Sequence, residues 1–272
     1  MFRQWSGLPV SDVYTSSMTR EFVAFANQLA DAAGEIVRRY FRQPVNTSQK
    51  ADGSPVTGAD RAIEGIIRER IEAAYPNHGV LGEEFGPHQV DADFVWVIDP
   101  IDGTKAFISG VPLFGTLIGL VQHGHPVLGV IDQAVMGERW LGADGTGTTL
   151  NGQAVCTRPC VAMGEAVLFT TGPDLYGGDD ARAFRRLAGA ARWTRYSADC
   201  YAFGLLASGF IDLAAEASLK PHDYCALVPI VANAGGVISD WRGAPLGLDS
   251  DGRILAAGDA DRHAEALAML AG

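Results

Sequence analysis

Five apolar residues, Phe94-Val95-Trp96-Val97-Ile98, run without a polar interruption into Asp99-Pro100-Ile101-Asp102-Gly103-Thr104. A short run of branched and aromatic residues reads as a strand buried on both faces, and such a strand requires a sheet covered by other layers. Its end must sit where two carboxylates are tolerated. Pro100 and Gly103 force a turn there, so that Asp99, Asp102 and the Ile101 carbonyl can converge on one point. Oxygen donors of mixed side-chain and backbone origin make a hard-cation site, suited to Mg2+ completed by water and a phosphate.

Two helices precede this strand. Phe22, Phe25, Ala26, Leu29, Ala33, Ile36, Val37 and Tyr40 recur at three- and four-residue steps, which predicts a helix over residues 20–43 that Pro44 ends. Ile63, Ile66, Ile67 and Ile71 predict a second over 59–75, stopped by Pro76. Short runs then predict strands at 94–98, 116–121, 127–131 and 139–141, with an antiparallel hairpin around His123-Gly124-His125-Pro126. Beyond Asn151 we expect strand 166–170, helices 180–190 and 201–208, strand 211–215, helix 224–234, strands 236–240 and 254–257, and helix 260–270. This pattern predicts an α+β/α/β fold, a layered sandwich of alternating helix and sheet layers. The expected organisation is a loosely held arm over 1–18, an α+β metal- and phosphate-binding half over 19–147, and an α/β half over 148–272 that completes the active site. The Gly-rich stretch 142–152 marks the boundary.

The 272 residues carry 21 basic and 32 acidic side chains, a formal charge of −11, so the overall field repels polyanions and offers no footprint for nucleic acid. An anionic small molecule would need cations supplied locally. No apolar run reaches membrane-spanning length, and Cys156, Cys160, Cys200 and Cys225 form no C-x-x-C pair. We expect reduced thiols in a cytoplasmic protein. Gly103-Thr104-Lys105-Ala106-Phe107 can open a short helix whose free N–H groups face phosphate oxygens, which makes Gly103 and Thr104 phosphate-binding candidates. Upstream, Gly82-Glu83-Glu84-Phe85 offers another carboxylate in a turn, and downstream Asp223 opens a helix after Pro221.

Together these motifs resemble the lithium-sensitive, Mg2+-dependent inositol monophosphatase superfamily. The likeness rests on Gly82-Glu83-Glu84, on Trp96 through Thr104, on His222-Asp223 followed by Ala234-Gly235-Gly236, and on the segment from Lys50 to Asp60, similar to the family's lysine and T-x-x-D stretch. It covers the chain from about Arg20 to its end. The resemblance implies a sugar-phosphatase-like fold, a homodimer, and two or three Mg2+ per active site. Glu83, Asp99 and the Ile101 carbonyl would hold one ion, and Asp99, Asp102 and Asp223 a second. Thr104 would hydrogen-bond the attacking water, Asp60 would accept from Thr104, Glu83 would help deprotonate the water, and Asp102 would belong to the same catalytic set.

Three segments look like the histidinol-phosphate phosphatase branch: the run from Thr104 to Leu120, Ala198-Asp199-Cys200-Tyr201-Ala202-Phe203-Gly204, and Leu219-Lys220-Pro221-His222-Asp223. Ser197 departs from the pattern, standing where glycine is usual. Histidinol phosphate carries an ammonium and an imidazole away from its phosphate, so its site needs anions remote from the metals. Asp199 and Glu216 could supply them. The competing reading of Glu216 is a surface or interface ion pair with Arg195; Arg195 itself is a further substrate-binding candidate, and His222 would shape the substrate pocket. Inositol-1-phosphate is the nearest rival substrate, with nucleotide 3′-phosphates or fructose bisphosphate further off. A catalytically reduced binding or regulatory protein is the non-enzyme alternative, opposed by intact Glu83, Asp99, Asp102, Thr104 and Asp223.

Overall fold

A computed structural model describes residues 17–44, 47–49 and 55–272; the expected arm, save its last two residues, and Lys50 lie outside them. Helix α1 (Ser17–Tyr40) buries Ala26, Leu29, Ala30, Ala33 and Val37 along one stripe. Strands β1 (Thr47–Gln49) and β2 (Pro55–Thr57) form a small antiparallel ribbon that leads into α2 (Gly58–Ala74). Thr57 caps α2 by accepting from the Ala59 N–H at 3.1 Å, and Asp60 answers by accepting from the Thr57 N–H at 2.8 Å. This capping box sets the angle at which α2 enters the fold.

The large sheet is built from β3 (Gly79–Gly82), β4 (Gly86–His88), β5 (Phe94–Asp102), β6 (Gly115–Gln122), β7 (His125–Gln133), β8 (Glu138–Ala143), β9 (Gly147–Leu150) and β10 (Gln153–Val155). Their order is β10-β9-β8-β7-β6-β5-β3-β4, antiparallel except where β3 runs parallel to β5. The β6–β7 pair is the expected hairpin. Short helix α3 (Thr104–Ile108) lies between β5 and β6. A second sheet, ordered β12-β11-β13-β15-β14, comprises β11 (Val167–Thr170), β12 (Trp193–Tyr196), β13 (Leu213–Glu216), β14 (Val237–Asp240) and β15 (Ile254–Ala257). The remaining helices are α4 (Gly178–Ala190), α5 (Tyr201–Ala207), α6 (Pro221–Tyr224), α7 (Leu227–Asn233) and α8 (Ala260–Ala271).

Strand alternation explains the unbroken apolar run. Trp96 and Ile98 pack against α1 and α2, whereas Val95 and Val97 face a core shared with α5, α6 and α7. That middle core also takes Phe169, Ala214 and Ala256 from the second sheet, whose other face, with Leu168, Leu213 and Leu255, packs on Phe184 and Leu187 of α4 and Ala266 and Leu270 of α8. The result is five layers, helix–sheet–helix–sheet–helix. All four cysteines are free thiols. Among the described residues no helix is long and apolar enough to cross a membrane.

Two differences from expectation have local causes. The helix expected over 224–234 breaks into α6 and α7 at Cys225-Ala226. Pro229 lacks the N–H that would bond the Cys225 carbonyl, and its ring would collide with it; as the third residue of α7 it is tolerated. The stretch 142–152 is sheet: β9 and β10 extend the large sheet to Val155, so the chain leaves that sheet later than its glycines suggested. These strands, like β4 and β12, are short and lack the branched runs that mark longer ones.

The seat of α7 on the large sheet depends on Gly129, where any Cβ would collide with the Ala226 carbonyl. Gly129→Ala should lower unfolding stability by about 3 kcal/mol, because the obstacle is backbone. Urea unfolding measures this, and an unchanged midpoint would show that α7 does not sit as described.

Candidate active site

Strand β5 does not stop at Ile98. It continues to Asp102 through an irregularity in its pairing with β6, where register is lost between Asp99 and Asp102. The bulge, rather than a turn after the strand, turns both carboxylates to one side. Asp99 is buried and accepts from the Ile101 N–H at 3.0 Å, while Thr116 ties down the Pro100 carbonyl at 2.8 Å. Gly103 then adopts φ +86°, and a Cβ there would crowd Phe114 and Asp199 at 3.1 and 3.2 Å. Helix α3 starts at the next residue. The Cys200 N–H, at the entry to α5, donates to Asp102 Oδ2 at 2.6 Å and binds the two halves of the chain at the site.

Glu83 comes from the turn after β3, and Glu64 of α2 holds that turn. Fully buried, Glu64 accepts from the Glu84 N–H at 2.6 Å and the Phe85 N–H at 3.1 Å, and pairs with Arg68 at 2.7 Å. Arg68 in turn donates to the Gly86 carbonyl. Asp223 arrives on α6, oriented by the Lys220 N–H at 2.6 Å, and its neighbour His222 places Nε2 4.0 Å from Glu83 and 3.7 Å from Asp223.

The structure thus brings Glu83, Asp99, Asp102, Asp223 and His222 together. Ligand atoms of Glu83, Asp99 and His222 lie within 4.8 Å of one another, as do those of Asp99, Asp102 and Asp223, with Asp99 common to both sets. Burial pushes Asp99 well above the usual carboxylate range, and Glu83, Asp102 and Asp223 push it further. Asp102 is raised in the same way, by burial and then by Asp199 and Asp223. Asp223 is raised by burial, against partial relief from His222. Among the described residues no lysine or arginine pairs with Asp99, Asp102 or Asp223. Crowded, uncompensated carboxylates fit a divalent cation, and the oxygen-rich donor set fits a hard one.

Other expected site residues are placed less simply. Thr104 donates its hydroxyl hydrogen to the Ile101 carbonyl at 3.0 Å rather than to Asp60. Asp60 spends Oδ2 on the Thr57 N–H and hydroxyl, at 2.8 and 2.6 Å, and keeps Oδ1 buried without a hydrogen bond among the described residues. Burial raises it to about 6, against the two Thr57 hydrogen bonds and with help from Glu84 and Glu83. Ser197 and Asp199 both adopt positive φ, +66° and +47°, so the position where glycine is usual does need the left-handed conformation. Asp199 is raised by burial to about 6, with Thr171 and Lys105 pulling it down. Glu216 lies buried at the end of β13 and accepts from the Thr171 N–H at 2.7 Å, the Thr171 hydroxyl at 3.1 Å and the Thr170 hydroxyl at 3.3 Å. Arg195 is exposed on edge strand β12, and no ion pair between it and Glu216 occurs among the described residues. A recess of about 630 Å³ between α1 and the outer strands, lined by Arg20, Arg38 and Arg139, contains none of these groups.

Glu64, Arg68 and Thr171 were not among the sequence candidates. Glu64 could have been found, because it falls on the apolar stripe of α2 between Ile63 and Ile67, where an acid is out of place unless a partner waits inside.

The inositol monophosphatase family profile matches residues 18–271. A chloroplastic bifunctional phosphatase of Arabidopsis thaliana, IMPL2, is 45% identical over 92% of this chain and 75% of its own length. A histidinol-phosphatase of Chlorobaculum parvum is 38% identical over 85% of this chain and 90% of its own. Among solved structures, an inositol monophosphatase from Zymomonas mobilis superposes with a TM-score of 0.87 at 43% identity, covering 94% of this chain and 100% of that one. The chain belongs to the inositol monophosphatase family, and it is a phosphoric monoester hydrolase of a metal-dependent kind.

The Glu64–Arg68 clamp makes a specific demand on metal binding. Glu64→Gln and Arg68→Met should each weaken Mg2+ binding by roughly 10- to 100-fold, the scale on which partners behind metal ligands act. Titration calorimetry reads this, and wild-type affinity in both variants would show that the Glu83 turn stands without the clamp.

Proposed function

We propose that this family member is a Mg2+-dependent phosphatase of L-histidinol phosphate, releasing L-histidinol and phosphate. The observation that carries the choice of alcohol is the pair of half-buried Asp199 and buried Glu216, two acids that share Thr171 and lie within electrostatic reach of one another beside the carboxylate cluster. An ammonium and an imidazole on the leaving alcohol match two acids; a neutral polyol does not need them. The histidinol-phosphatase relative supports this reading, whereas the Zymomonas mobilis structure favours inositol-1-phosphate as the second.

In this reading Glu83, Asp99 and the Ile101 carbonyl hold one Mg2+, and Asp99, Asp102 and Asp223 hold another. Bound ions supply positive charge to the phosphoryl oxygens and acidify a water. The chain's own groups do the rest. The N–H groups of Gly103 and Thr104, at a helix start that leaves them without intrahelical acceptors, receive the non-bridging phosphate oxygens. With its hydrogen committed to Ile101, the Thr104 oxygen orients the attacking water as an acceptor, and Glu83 takes a proton from it. A relay through Thr104 would require its hydroxyl hydrogen to turn from the Ile101 carbonyl to Asp60, whose buried Oδ1 has no hydrogen bond among the described residues.

Asp199 and Glu216 anchor the ammonium end. Burial raises Glu216 to about 8, against the hydrogen bonds from Thr171, with Asp199 and Asp102 adding to the rise. Below that value Glu216 holds a proton and offers no charge; above it the carboxylate is available to a cation.

Asp102→Asn should abolish Mg2+-dependent phosphate release while the folded chain keeps its circular dichroism; retained turnover would remove Asp102 from the metal set. In a parallel phosphate-release assay, histidinol phosphate should be turned over far faster than inositol-1-phosphate, and the reverse ratio would overturn the substrate. For histidinol phosphate, kcat/KM should climb with pH, half-maximal near 8 and levelling off above it. Glu216→Gln should flatten that limb and cut the preference by about 10-fold or more, the worth of a charge-assisted hydrogen bond.

A further inference from the structure

We infer that His222 is a metal ligand, and that the two halves of the metal centre differ in kind: an oxygen-only position at Asp99, Asp102 and Asp223, and a mixed nitrogen–oxygen position at Glu83, Asp99 and His222 that prefers a first-row transition-metal dication to Mg2+. The inference rests on the metal-dependent reading above and deepens it.

The geometry carries it. His222 Nε2 stands 4.0 Å from the Glu83 carboxylate, too far for a hydrogen bond, yet within the span of two donors that share one ion at about 2.0–2.2 Å from each. The buried Asp99 carboxylate completes the triad within 4.8 Å. His222 and Asp223 leave the same turn, which Pro221 starts and the Lys220 N–H locks against Asp223 at 2.6 Å. One four-residue helix therefore supplies a donor to each position: imidazole to the Glu83 side, carboxylate to the Asp102 side. The imidazole is mostly buried, at 15% exposure, and among the described residues only Glu83 and Asp223 pair with it.

Ligand chemistry sets the preference. Mg2+ favours six oxygens and gains little from a neutral nitrogen, whereas imidazole suits transition-metal dications, whose affinity for nitrogen rises along the first row. Substituting one imidazole for an oxygen donor thus separates two positions that share Asp99 and would otherwise be alike. The sequence reading gave His222 to the substrate pocket; its Nε2 lies 4.0 Å from Glu83 and 3.7 Å from Asp223, among the acids of the cluster.

The test uses Mn2+ added to the metal-free full-length chain, read by electron spin-echo envelope modulation. Bound Mn2+ should show coupling to ¹⁴N in the wild type and lose it in His222→Phe. Calorimetry should find Mn2+ binding weakened at least about 10-fold in that variant, while the Mg2+ affinity of the oxygen-only position stays within a few-fold. Should His222→Phe not fold, the wild-type spectrum decides alone. Mn2+ bound without ¹⁴N coupling overturns the assignment of His222 and leaves the metal centre standing. Absence of Mn2+ binding altogether overturns both.

Discussion

Four carboxylates drawn into one partly buried site repel one another, and most of the structure near them can be understood as what holds them there. Burial and mutual charge both favour protonation of Asp99, Asp102 and Asp223. The opposing forces come from the scaffold. A bulge in β5, a clamp from α2, a capped turn at α6 and a backbone N–H from Cys200 each fix one donor. Every layer as far as the second sheet contributes to that constraint, which is why the site belongs to no single element.

Layering follows from the same requirement. A strand that ends in carboxylates and is covered on both faces must be apolar up to them, and β5 is from Phe94 to Ile98, with Trp96 and Ile98 on one side and Val95 and Val97 on the other. Apolar burial of this kind supplies the free energy against which an electrostatically unfavourable cluster can be held. The close seat of α7 at Gly129 keeps α6, only two residues earlier, in place over that cluster.

Much of this was legible in the sequence, for physical reasons. Long helices with a 3.6-residue repeat, α1 and α2, and branched strands such as β5 and β6 announce themselves by periodicity and composition. The carboxylate motif announced the site, because Pro and Gly between acids restrict the backbone strongly. What escaped depended on partners distant in sequence. The 64–84, 171–216 and 102–200 hydrogen bonds join segments whose proximity exists only once the layers have assembled. Short strands β9, β10 and β12 escaped because their pairing, not their side chains, makes them strands. The commitment of the Thr104 hydroxyl to the Ile101 carbonyl is a local choice that no spacing encodes.

The spread of the donors along the chain has a consequence for biosynthesis. Asp99 and Asp102 lie on a strand made early, whereas Asp223 and His222 lie on a short turn more than a hundred residues later. A nascent polypeptide emerging from the ribosome can complete its first sheet well before that turn exists. During this interval the acids of β5 lack their last partners and cannot form the finished chelate. On the proposed ligand set, capture of a cation is therefore a late event in synthesis, a clasp that closes on a body already shaped.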